Sequence, residues 1–249
     1  MIKIGNFLFH YRNGLFPVLY LLLFLKSRPL LPDFRHAALI GLAIALIGQA
    51  FRVVTIGFEY IIRGGRNRRV YAEELVTGGM FSHCRNPLYV GNFLIIVGLG
   101  VASNSLFFVA VMIPLFAFIY RAIVAAEENF LRGKFGPAFD DYCARVNRFL
   151  PNFRGFKNSI SGMTYNWRRV ITAEYGSTFI WTAGMIGVTL RNALTTSTTP
   201  HTELLVRSLW IALGAVTVGY LAARFLKKTG RLVAPMTSMP KEEPEPQTN

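Results

Sequence analysis

Residues 37 to 62, "AALIGLAIALIGQAFRVVTIGFEYII", form an apolar run longer than the roughly 20 residues a helix needs to cross a bilayer. A stretch of this length is read as a membrane span, and it constrains everything else in the chain. Arg52 lies inside it. A charge at that depth is costly, so Arg52 is expected to face protein or to snorkel toward a head group.

Further apolar blocks follow the same logic: 14–25, 87–102, 106–126, 175–190 and 204–226. Together they predict an all-α, polytopic transmembrane bundle of about six spans, with cytoplasmic helical segments between them. The run at 14–25 is short and lacks a small-residue cleavage site after it, so it reads as an uncleaved span rather than a signal peptide. Pro87 suits the first turn of the third span. "SNS" at 103–105 makes a tight turn, so the third and fourth spans form an antiparallel hairpin, and Pro114 is expected to kink the fourth. That helix should run past the membrane edge and break near Gly136 and Pro137, with a short amphipathic helix after it.

The net charge of +14 in 249 residues would suggest nucleic acid in a soluble protein. Here 52% of the residues are hydrophobic, and the basic residues crowd the segments at 63–85, 121–169 and 224–231. That pattern points to loops facing anionic lipid, not to nucleic acid. The positive-inside rule then places both termini and both large polar segments in the cytoplasm, in what reads as a bacterial inner membrane; the 26–36 loop, with Lys26, Arg28 and Arg35, argues weakly the other way. Two cysteines without CxxC spacing, Cys84 and Cys143, argue against a disulfide framework, and with His83 they show no metal-ligand spacing.

The chemistry concentrates in two polar segments flanking the hairpin, "GGMFSHCRNPLYVGN" and "EENFLRGKFGPAFDDYCARVNRFLP". Both fall on one membrane face. They bring Arg85, Asn86, Tyr89, Glu127, Glu128, Tyr142 and Arg145 to a water–lipid boundary. Each residue also has a plain reading: Arg85 as an anchor, Tyr89 as an interfacial belt residue, the two glutamates as a solvated helix end. Arg121 lies seven residues before Glu128, nearly on the same helix face.

Taken together the two segments resemble the isoprenylcysteine carboxyl methyltransferase and phospholipid methyltransferase superfamily, over about residues 70 to 153. The resemblance implies an S-adenosylmethionine site in which Arg85, Asn86, Pro87, Tyr89 and Gly91 form one wall. Glu127 and Glu128 form the other, and Tyr142 and the loop to Pro151 close over it. Glu128, Arg85 and Glu127 are the implied catalytic residues. The implied acceptor is a lipid-like or prenylated carboxylate or amine that enters from the bilayer. Asn86 stands where the prenylcysteine enzymes carry histidine, Phe139 where a tyrosine is expected, and Arg121 only approximates the arginine placed before the glutamates.

A second enzyme class shares part of the pattern. "DYCARV" is similar to the C-terminal region of NADPH-dependent membrane sterol reductases, which have more spans and carry the motif near the chain end. A non-catalytic membrane scaffold is a third reading, against which the intact glutamates and "RNPLY" argue. The expected layout is N-terminal membrane helices over 1–69, a methyltransferase-like core over 70–153, C-terminal membrane helices over 154–231 and a disordered, proline-rich tail over 232–249.

Overall fold

The computed structural model describes residues 1–59, 72–196 and 199–232, and within them the chain is helical, with a single isolated β-bridge between Pro29 and Ser105. The basic cluster between the second and third spans and most of the expected disordered tail lie outside the described residues. Eight α-helices follow in order: α1 Ile2–Leu21, α2 Phe34–Phe58, α3 Pro87–Ala102, α4 Ile113–Phe135, α5 Pro137–Arg145, α6 Phe156–Ser159, α7 Trp167–Leu194 and α8 Pro200–Lys228. Among the described residues, four helical stretches, Ile2–Phe24, Phe34–Phe58, Phe108–Phe135 and Pro200–Lys228, are long and apolar enough to cross a membrane. α3 is apolar but shorter.

α1 begins well before the expected run at residue 14. Lys3, Asn6, His10, Arg12 and Asn13 concealed its first turns, because polar residues interrupt the apolar pattern without breaking the helix. The fourth span also differs in detail. A π-turn at Phe108–Met112 precedes α4, and Pro114 falls in the first turn after it, where a missing N–H is tolerated. The break after α4 is where the sequence placed it: Gly136 takes φ 54°, a conformation open to glycine, and Pro137 starts α5.

Small residues set the helix packing. A Cβ added at Gly48 of α2 would come within 2.6 Å of the Gly91 carbonyl oxygen of α3, and one at Gly41 within 2.7 Å of Ala102. The two backbones therefore touch along their length, as membrane helices do when small residues line the seam. Gly5 of α1 sits in the same way against Ala122 and Ala126 of α4, and Phe16 meets Phe116 and Tyr120 edge-on. These pairings run antiparallel. α7 runs back along α2, with Trp181 donating to Gln49 at 2.9 Å and Arg169 donating to the Ile56 and Gly57 carbonyls at the end of α2. α8 stacks Tyr220 on Tyr175 and Phe179 of α7.

The alternation gathers the start of α1, the end of α2, the start of α3, the end of α4, the start of α7 and the end of α8 at one end, the polar end. At the opposite end the α3–α4 turn is tied down. The Asn104 side chain, its residue at φ 52°, accepts from the Leu30 and Leu31 amides, and Arg191 donates to the Leu25 and Ser103 carbonyls. Inside the bundle Arg52 faces protein, 3% exposed, and makes a two-pronged pair with Glu174 of α7 at 2.7 and 2.8 Å. It also donates to Asn92 of α3 and to Ser177, so one guanidinium joins three helices.

Candidate functional site

At the polar end a short 3₁₀ turn, Gly79–Ser82, delivers the chain to His83, Cys84, Arg85 and Asn86, and Pro87 then opens α3. The segment after α5 crosses this turn and is bonded to it. The Arg85 amide donates to the Asn147 carbonyl at 2.9 Å and the Asn152 amide to the His83 carbonyl at 3.0 Å. The Asn86 side chain donates to the Arg148 carbonyl at 3.2 Å. His83 bridges the Asn152 carbonyl and the Ser159 hydroxyl through its two ring nitrogens. Tyr142 of α5 donates to the Phe81 carbonyl at 2.7 Å. The loop 147–152 thus lies across "HCRN" as a strap, and Tyr142 ties α5 to the 3₁₀ turn.

Burial pushes the Cys84 thiol up to about 11, although the Asn86 backbone and the Arg85 charge act the other way. Burial likewise raises the Tyr142 phenol. Both groups are therefore neutral at ordinary pH and serve as packing and hydrogen-bonding elements. The charge of the site resides in its glutamates and arginines.

The two neighbouring glutamates of α4 separate, because successive residues on a helix point about 100° apart. Glu128 is 4% exposed and held between two arginines. Arg148 grips it in two-pronged fashion at 3.1 and 2.5 Å, and Arg85 Nε approaches Glu128 Oε1 to 3.4 Å. That last contact is an ion pair without hydrogen-bond geometry, so Arg85 Nε is buried with no hydrogen-bond partner. Glu127 turns toward α3 instead, where the Tyr89 hydroxyl donates to it at 2.7 Å.

The structure therefore brings Arg85, Asn86, Tyr89, Glu127, Glu128 and Tyr142 to one end of the bundle. Pro87 is buried at the start of α3. Gly91 faces away from the glutamates, against Gly48 and Arg52 of α2, and serves close helix packing. Arg121 is exposed and takes no part in holding Glu128. Arg145 is exposed and donates to the Asp141 carbonyl. The residue that sequence reasoning missed is Arg148. It stands in the quoted "ARVNRFLP", but nothing in its spacing marks it over Arg145.

Comparison with known proteins identifies the family. The profile of the phospholipid methyltransferase family matches residues 37–138. The cobalt-zinc-cadmium resistance protein CzcN of Cupriavidus metallidurans is 35% identical over 160 residues, which cover 59% of this chain and 67% of that protein. The nickel-cobalt-cadmium resistance protein NccN of Alcaligenes xylosoxydans is 36% identical over 120 residues, so the chain spans only about half of that relative, 51%. A probable protein-S-isoprenylcysteine O-methyltransferase of Oryza sativa is 33% identical over 132 residues, 49% of this chain and 65% of that protein. No solved structure matches. With its apolar helices, its paired motifs and these relatives, the chain belongs to the isoprenylcysteine carboxyl methyltransferase and phospholipid methyltransferase superfamily of integral membrane proteins.

Proposed function

We propose that this chain transfers a methyl group from S-adenosylmethionine to a lipid-like acceptor at the polar end of the bundle. The observation that carries the reading is Arg85 Nε, a buried donor without a hydrogen-bond partner beside a glutamate shared by two arginines. A buried guanidinium donor left unmade is costly. A cofactor that carries a carboxylate, an ammonium and a sulfonium offers groups to match both the arginines and the glutamates. When bound, that cofactor supplies a methyl group activated for in-line attack, and the protein's task is mainly orientation.

The residues divide that task. Arg85 and Arg148 hold Glu128 and present their remaining donors to an anionic group. Asn86 fixes the strap through the Arg148 carbonyl. Glu127 keeps a carboxylate bound to a hydroxyl rather than to a guanidinium. A carboxylate acceptor is nucleophilic as it stands. An amine acceptor must lose a proton, and Glu127 is the carboxyl placed to take it. The acceptor reaches the site from the bilayer, along helices whose outer faces are apolar, such as α1 with Phe7 and Val18 exposed.

The cytoplasm is the side we assign to this end, in a bacterial inner membrane crossed about six times. The support is charge asymmetry: Lys134, Arg154, Lys157, Arg168, Lys227 and Lys228 all belong to its helices and loops. Labelled methyl transfer from S-adenosylmethionine into total membrane lipid and protein, followed by identification of the product, tests the reading. Purified protein that binds NADPH and not S-adenosylmethionine overturns it.

A further inference from the structure

The strap across "HCRN" turns apolar side chains outward. Leu150 is 77% exposed, more than Ile211 on the outer face of α8 at 74%. Phe153, three residues on, is exposed, as are Tyr165 and Trp167 where the chain enters α7. The methyl-transfer reading uses none of the four. Large apolar residues gathered outside the spans mark a contact surface.

The packing fixes the level of this segment. After the strap the chain returns down the flank of α2. The Phe153 ring meets Phe51 edge-on with centroids 5.9 Å apart. Phe51 lies seven residues before the end of α2, about 10 Å of helix rise inside a stretch long and apolar enough to cross a membrane. The Tyr165 hydroxyl donates to the Val53 carbonyl at 3.4 Å, and a Cβ at Gly57 would overlap the Tyr165 ring. The Asn166 amide donates to the Gly57 carbonyl at 2.8 Å. Phe153 and Tyr165 are thus held level with the last two turns of a span, where aromatic residues meet the head groups of a bilayer.

Charge completes the surface. Between Asp141 and Glu174 the sequence carries Arg145, Arg148, Arg154, Lys157, Arg168 and Arg169 and no acid. Arg148 is committed to Glu128, and Arg169 to the carbonyls at the end of α2. Arg154 and Lys157 stand beside Phe153 and Phe156, are exposed, and form no ion pair among the described residues. Basic residues next to apolar ones at a membrane boundary suit an anionic lipid surface.

We propose that the segment 150–157 binds the anionic lipid surface and that this contact holds the strap closed. Leu150 and Phe153 enter the boundary between head groups and acyl chains beside α2, and Arg154 and Lys157 take lipid phosphate. Arg148 stands two residues before Leu150, and Asn152, whose amide donates to the His83 carbonyl, immediately precedes Phe153. Lipid that fixes 150–157 therefore fixes the attachments that keep Arg148 on Glu128. The lipid contact stands without the methyl-transfer reading; only its consequence for turnover rests on that reading.

The test uses the full chain without cofactor, in nanodiscs of phosphatidylcholine with and without phosphatidylglycerol. Nitroxide labels at Leu150→Cys, Phe153→Cys and, as a control on α5, Asp141→Cys are placed in a Cys143→Ser background, with that background alone as blank. Labels at 150 and 153 are expected to be more accessible to oxygen, which concentrates in lipid, than to a water-soluble nickel chelate, with the reverse at 141. Hydrogen exchange then reads the strap through the Arg85 and Asn152 amides, which donate to the Asn147 and His83 carbonyls. Phosphatidylglycerol is expected to slow both by about threefold to about 30-fold, the ceiling that two basic residues at an anionic surface set. Free inorganic phosphate should not. Arg154→Gln combined with Lys157→Gln should abolish the slowing and leave exchange in phosphatidylcholine unchanged. Labels at 150 and 153 that are open to water overturn the proposal and leave this surface to a soluble partner. So does exchange indifferent to phosphatidylglycerol, or a slowing that free phosphate reproduces or that survives the double variant. Failure to bind S-adenosylmethionine, with the labels in lipid and the exchange lipid-dependent, would defeat the methyl-transfer reading and leave this contact standing.

Discussion

Two arginine–glutamate clusters among the described residues are built to opposite rules. Arg52 and Glu174 are both almost fully buried, with side chains 4% and 3% exposed, and they pair at 2.7 Å. Asn92 and Ser177 take further donors of the guanidinium. At the polar end one carboxylate, Glu128, is shared by Arg85 and Arg148, Arg148 is 40% exposed, and Arg85 Nε is left over. A buried, paired cluster of this kind holds helices together. A cluster with surplus cationic donors at a rim can hold something else as well. The same residue types thus mark a joint in one place and a candidate site in the other.

Breaking the joint should have the largest effect. Glu174→Ala leaves Arg52 buried without its counter-charge, which typically costs about 3–5 kcal/mol. A steep fall in Tm in detergent is expected, and the double replacement Arg52→Met with Glu174→Leu should recover much of it. A single variant as stable as the wild type would show that the pair does not join α2 to α7.

The rim cluster should respond in binding more than in folding. Arg85→Ala and Glu128→Gln are each expected to weaken S-adenosylmethionine binding by about 30-fold or more, the equivalent of roughly 2 kcal/mol or above. Their Tm should drop less than that of Glu174→Ala. Calorimetric titration beside thermal melts separates the two. Wild-type affinity in both variants would remove Glu128 and Arg85 from the site.

Tyr89→Phe is a finer cut. It deletes the hydroxyl that orients Glu127 and leaves the ring packing against Tyr120. A hydrogen bond to a charged group contributes about 1.5–3 kcal/mol, so kcat/KM should fall by about tenfold or more while cofactor affinity holds. Equal loss of both would place Glu127 on the cofactor rather than toward the acceptor.

The smallest effect concerns pH. Cys84 has a folded pKa near 11 against an ordinary 9.0, raised by burial. The folded state therefore holds the thiol proton more tightly than the unfolded state. The resulting stability is complete below pH 9 and is lost as pH rises toward about 11. The difference in Tm between wild type and Cys84→Ala should shrink over that interval. A difference that is flat from pH 8 to 11 would mean that the thiol is not buried under the strap.

Much of this architecture was legible in the residues. Apolar run length gave the helical bundle, Pro87 and "SNS" gave the hairpin, and Gly136 with Pro137 gave the break before α5. The motif pair pointed to the polar end, where the methyl-transfer site is proposed. The early start of α1 was not legible, because polar residues in its first turns mask a helix that packing against α4 sustains. Nor was the division of the glutamates: the sequence marks both acids, but which one meets an arginine depends on the strap above them.

By itself, then, the sequence determined what is local: the apolar runs, the Pro87 start, the break at Gly136 and Pro137 and the family motifs, each governed by neighbours within a turn or two. The tertiary structure alone decided the charge partners. Glu174 lies 122 residues from Arg52, and Arg148 comes to Glu128 only because a loop after α5 folds back over "HCRN". Such pairs have no period and no fixed spacing. They are selected by burial, which makes an unpaired charge too costly to keep and accepts whatever partner the packing brings within reach.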